Sequence, residues 1–120
     1  MYLRKNFPIW RDAEKLLIEV ELAVRNFPRY HKYSLGTELR QLAGKIIAGI
    51  THAINNKEIR QKMLSQLSFY IEELKIKIQL AKTLQAFASF SQFETIAKLA
   101  VSLGRQTKGW EKKITTRRGG

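Results

Sequence analysis

Cysteine is absent from the 120-residue sequence, which excludes a disulfide framework and any thiolate metal site. Proline occurs only at Pro8 and Pro28, so little interrupts helical backbone. No run of about 18 apolar residues occurs, which leaves no candidate transmembrane helix. The opening MYLRKNFPIW lacks the apolar core of a secretory signal. A soluble, cytoplasmic protein with no membrane role is the expectation. Histidine is scarce too: His31 and His52 stand at no metal-ligand spacing, and no Glu is followed three residues on by His. The adjacent Glu72 and Glu73 point in different helical directions and make no facing carboxylate pair. These absences point away from an enzyme and toward a chain with no metal and no cofactor.

Acidic residues are also in short supply. Ten Asp and Glu face 22 Lys and Arg, for a formal charge of +12. Such an imbalance repels itself in a compact state and is relieved by a polyanion or an acidic partner.

What is abundant is helical periodicity. After Pro8, suited to a first helical turn, Trp10, Ala13, Leu17, Val20, Val24 and Phe27 recur at steps of three and four. Leu16 and Ala23 widen the stripe, and the pattern predicts a helix over 8–26 ended by Pro28. Ser34 reads as the N-cap of a second helix, with Leu35, Leu39, Leu42, Ala43, Ile46, Ile47, Ile50, Ala53 and Ile54 as its apolar face, ended by Asn55 and Asn56. A third runs from about Glu58 to Leu84 with Met63, Leu67, Tyr70, Leu74, Ile78 and Ala81 as its core row. A fourth, capped by Ser91, carries Phe93, Ile96, Ala100, Leu103, Thr107, Trp110 and Ile114. Four helices of about 20 residues joined by short connectors predict an all-α, antiparallel up-down-up-down four-helix bundle over 1–114. A basic, disordered tail is expected over 115–120. Gly36, Gly44, Gly49, Gly104 and Gly109 lie in or near helical pattern, at a cost of roughly 0.5 to 1 kcal/mol for each interior glycine, and close approach of neighbouring helices is the expected offset.

Two surface features go beyond the core. The third helix carries a second apolar stripe, Phe69, Ile76, Leu80 and Phe87, and a helix apolar on two sides is buried on two sides; the expected cover is another copy of the chain. On the fourth helix Lys98, Arg105 and Lys112 repeat every seven residues, Lys108 falls between them, and Lys113, Arg117 and Arg118 extend the charge. Such a ridge, about 20 Å long, matches several phosphates. Arg29 and Lys32 in the first connector, with Arg40 and Lys45 on the second helix, add to the positive surface. The first helix instead holds Asp12, Glu14, Glu19 and Glu21. Sequence-tolerant binding of RNA or DNA through phosphates is the function this charge suggests.

The runs FPRYHKYSLGTELRQLA (27–43) and FSQFETIAKLAVSLGRQTKGWEKK (90–113) resemble the four-helix bundle family that includes the intervening-sequence proteins of large-subunit ribosomal RNA. The resemblance is strongest to its Avd branch, the accessory variability determinants of diversity-generating retroelements. Phe27-Pro28 followed by Tyr33, Leu35 and Gly36, and Leu103-Gly104 with Gly109-Trp110, carry it. It implies a non-enzymatic, pentameric ring with a basic surface that associates with the retroelement's reverse transcriptase and its template RNA, or an RNA/DNA hybrid, in mutagenic cDNA synthesis. The extra stripe of the third helix would then serve ring contacts. The ribosomal intervening-sequence branch and a protein-only scaffold for an acidic partner are the alternatives. In the connector, Tyr33 and Leu35 are expected to pack at the bundle end, leaving Arg29, Lys32 and Arg40 free.

Overall fold

Helices in the computed structural model begin where the sequence removes or supplies backbone partners. The structure describes the backbone of residues 1–119 and the side chains of residues 1–116. A short helix, α1 (Tyr2–Asn6), precedes Pro8 at the first position of α2 (Pro8–Arg25), where its missing N–H costs nothing. A single turn, α3 (Arg29–Lys32), bridges to α4 (Leu35–Asn55). A 3-10 turn at Lys57–Ile59 leads into α5 (Arg60–Thr83), and α6 covers Phe90–Gly119. The segment expected as a tail thus continues the backbone of α6 as far as Gly119; the side chains of Arg117 and Arg118 lie outside the described residues.

The serines sit close to the expected caps but act differently. Ser34 is the N-cap residue of α4, yet its hydroxyl faces backward, 3.3 and 3.4 Å from the carbonyls of Tyr30 and His31. It closes the α3 turn rather than capping α4. On α6 the cap is Ser89, whose Oγ accepts from the Gln92 N–H at 3.2 Å; Ser91 already lies inside the helix. Between α5 and α6, Gln85 adopts a positive φ of 58°. There the Ala86 N–H reaches the Ala81 carbonyl and the Gln85 N–H reaches Lys82, the paired bonds of a Schellman stop.

All four long helices contribute to one core. Leu16, Leu39, Ile46, Ile50, Leu64, Leu67, Ile71, Leu74, Ile78, Ile96 and Leu103 are fully buried within it. On α5 the buried row takes Leu64 and Ile71 where the periodicity favours Met63 and Tyr70. Both rows satisfy three-four steps. Tyr70 carries a hydroxyl that needs a partner, and it stays at the rim, accepting from Gln66 Nε2 at 3.0 Å.

The cost of two glycines is offset by close packing. A Cβ on Gly36 would meet Val24 Cγ1 at 2.7 Å, and one on Gly49 would meet Leu67 Cδ2 at 2.8 Å. Gly104 would make only ordinary contact, and Gly44 and Gly109 face open space. Close approach therefore does not account for those three.

Helix α2 packs on α4 and α6, and α5 packs on the same two. It follows that α2 and α5 occupy opposite corners, as do α4 and α6. Along α2 with α4, and along α4 with α5, partner numbers fall as residue numbers rise: Trp10 meets Thr51 and Glu21 meets Arg40, while Glu38 meets Lys77 and Ala53 meets Arg60. The particle measures 50 × 28 × 21 Å.

Candidate nucleic-acid interface

Positive charge on α6 is held by a helix whose inner face is locked by Ile96, Ala100, Leu103 and Thr107. With that side fixed, three- and four-residue steps send Lys98, Arg105, Lys108 and Lys112 outward, and all four are exposed, as is Lys113. Lys98 sits 3.7 Å from Glu94 one turn back. Among the described residues, Arg105, Lys108, Lys112 and Lys113 have no carboxylate within ion-pair distance. Long cations on a rigid helix with no internal counter-charge are suited to an external anion.

The other expected cations do not join this ridge. Arg40 donates to Glu21 at 2.7 Å, and the Lys45 ammonium lies 5.5 Å from the centre of the Tyr70 ring. Both stand on α4, the corner opposite α6. Arg29 is exposed and Lys32 half-buried on the α3 turn, at the end of the rod where Phe27, Phe87 and Phe93 stack edge to face. The cations thus form a continuous α6 ridge and a separate group around α3 and α4. Tyr33, expected to pack, is 74% exposed; Leu35 alone is buried there.

Helix α2 holds cations that sequence reasoning missed. Three of its four carboxylates are turned sideways: Glu14 binds Arg4, Glu21 binds Arg40, and Asp12 accepts from Gln106 at 2.8 Å. Arg11, Lys15 and Arg25 remain exposed. The Asp12–Gln106 bond places Arg11 and Arg105 at the same level of adjoining helices. Counting acids per helix concealed this; the spacing 11, 15, 25 on one outward face would have revealed it.

Of the second apolar stripe on α5, Phe69, Ile76 and Leu80 are exposed by 61%, 54% and 45%. Phe87 turns inward between Phe27 and Phe93. Leu84 continues the exposed stripe, and Ile18 and Leu22 form a smaller one on α2.

The chain matches a known family model, described as bAvd-like, over residues 5–114. The chain belongs to the bAvd-like family. No curated protein matches it. The matched span takes in α2, α4 and α5 of the bAvd-like chain and α6 through Lys113 on the ridge. Among the described residues, no helix is long and apolar enough to cross a membrane.

Proposed function

We propose that this bAvd-like protein is a non-enzymatic accessory subunit of a diversity-generating retroelement, acting in the cytoplasm. It binds the template RNA, or an RNA/DNA hybrid, through the outer face of α6, and associates with the reverse transcriptase during mutagenic cDNA synthesis. The observation that carries this is the run of Arg105, Lys108, Lys112 and Lys113, exposed on a rigid helix without carboxylate partners. Phosphate contacts of this kind position a strand without reading its bases, which suits a protein that must tolerate a changing sequence.

The falling partner numbers between neighbouring helices support an antiparallel up-down-up-down bundle. Opposite corners of that bundle carry different apolar stripes, Phe69, Ile76 and Leu80 on α5 and Ile18 and Leu22 on α2. Two unlike patches on opposite sides favour a heterologous contact, which makes a ring where the rotation between copies closes and a filament where it does not. A homopentamer, as the resemblance implies, is the ring we adopt.

Co-expression with the retroelement's reverse transcriptase tests the assignment. Co-purification of polymerase, RNA and this protein is expected, with loss of the RNA from an Arg105, Lys108 and Lys112 to Ala variant. A purified protein that carries no nucleic acid and ignores RNA at low salt would instead favour a scaffold for an acidic protein.

A further inference from the structure

At the end of the rod away from α3, a hollow of about 590 Å³ opens between α2, α4, α5 and α6. Its apolar walls are Phe7, Pro8, Ile9, Ile54 and Trp110, and its polar groups are Arg60, Gln106 and Lys113. Among the described residues, no carboxylate lines it. A second hollow of about 410 Å³, lined by Gly109, Lys112, Lys113 and Thr116, shares Gly109 and Lys113 with the first. Together they lead from the cationic ridge to the indole of Trp110.

We infer that this hollow receives one unpaired nucleotide of a single-stranded RNA, its base against Trp110 and its phosphate toward Lys113 and Lys112. The inference rests on the nucleic-acid reading of the α6 ridge and adds to it a site that a duplex cannot enter.

Three observations select this occupant. The size lies within the roughly 300 to 1,000 Å³ of small-ligand sites. The charged groups that line the hollow among the described residues, Arg60 and Lys113, are both cationic; Arg60 holds its guanidinium 5.6 Å from the centre of the Trp110 ring while donating to the carbonyls of Ala53 and Ile54. Gly109 leaves bare backbone at the junction of the two hollows, with nothing within 4 Å of where a Cβ would be. That gap has no packing reason inside the chain, whereas a flat base entering beside Trp110 would use it. An aromatic platform flanked by cations is the arrangement that holds single strands without sequence preference.

The test uses the full chain carrying Trp10→Phe, so that Trp110 is the only indole. It is titrated with a single-stranded oligouridine and with an RNA duplex of equal length. The expected result is saturable quenching of Trp110 fluorescence by the single strand and not by the duplex. Gly109→Leu, whose Cβ would meet nothing within 4 Å, should abolish the quenching and weaken single-strand affinity about tenfold, more than it weakens duplex affinity. Equal quenching by both RNAs, or unaltered single-strand affinity in Gly109→Leu, would overturn the pocket and leave the ridge standing. Binding of neither RNA would remove pocket and ridge together.

Discussion

Trp10 on α2 donates its indole N–H to the Thr51 hydroxyl on α4 at 2.9 Å, and Thr51 passes the bond on to the Ile47 carbonyl at 2.8 Å. The chain ties two helices together beside the core and satisfies the one polar atom of a buried aromatic side chain. Trp10→Ala should cost about 3 to 5 kcal/mol by cavity formation. Thr51→Val should cost about 1 to 3 kcal/mol, because it leaves the indole N–H without its acceptor. Urea denaturation of both variants measures this, and a loss below 1 kcal/mol for Trp10→Ala would contradict the burial.

Two glycines of α4 should respond in opposite directions. Gly36→Ala drives a Cβ against the stiff side chain of Val24 and within 3.3 Å of the His31 carbonyl, which should destabilise by about 1 to 3 kcal/mol. Gly44→Ala meets nothing and should stabilise by about 0.5 to 1 kcal/mol through helix propensity. Thermal melts of the pair would show melting temperatures moving apart; a shift in the same direction would contradict the packing of α4 on α2.

Gln85 occupies the left-handed position of the stop between α5 and α6, where a Cβ is disfavoured. Gln85→Gly should therefore stabilise by about 0.5 to 1 kcal/mol. Equilibrium unfolding decides it, and destabilisation would mean that the Gln85 side chain holds the turn.

The dock of α1 should be acid-sensitive. Arg4 donates to both oxygens of Glu14, at 2.7 and 2.6 Å. These hydrogen bonds, with the attraction of the opposite charges, hold the Glu14 carboxyl below its ordinary range. A carboxylate with a lowered folded value contributes stability above its unfolded value and loses it as pH falls through the folded one. Exchange protection of the Lys5 amide, which bonds the Met1 carbonyl, should fall below about pH 4, and Glu14→Gln should remove that dependence. Protection that fails instead as pH rises would contradict the pairing.

Much of the fold could be read from apolar spacing, because burial of one stripe per helix sets both helix type and facing. Leu39, Ile46, Ile50, Leu67, Leu74, Ile78, Ile96 and Leu103 are read from three-four steps and buried in the structure. On α5 the spacing left two registers open, and the polar tip of Tyr70 decided between them. Caps were less legible: Ser34, Ser89 and Ser91 all stand near helix starts, and only backbone geometry determines which hydroxyl finds an N–H. The basic ridge of α6 was visible as a heptad row. Arg11 and Lys15 were hidden because the carboxylates of α2 were counted without knowing that Arg4, Arg40 and Gln106 would draw three of them aside. The indole of Trp110 lies in the predicted row yet is only partly buried, because α6 runs past the core beside the hollow it lines.

The decisive measurement is the salt dependence of RNA affinity for the native chain and for a variant with Arg105, Lys108 and Lys112 all changed to Ala. Each phosphate neutralised on a single strand contributes about −0.7 to the slope of log affinity against log salt, so the variant should lose about 2 from the magnitude of that slope while its melting temperature holds. An unchanged slope in a folded variant would contradict the assignment of the α6 ridge as the surface that grips the strand.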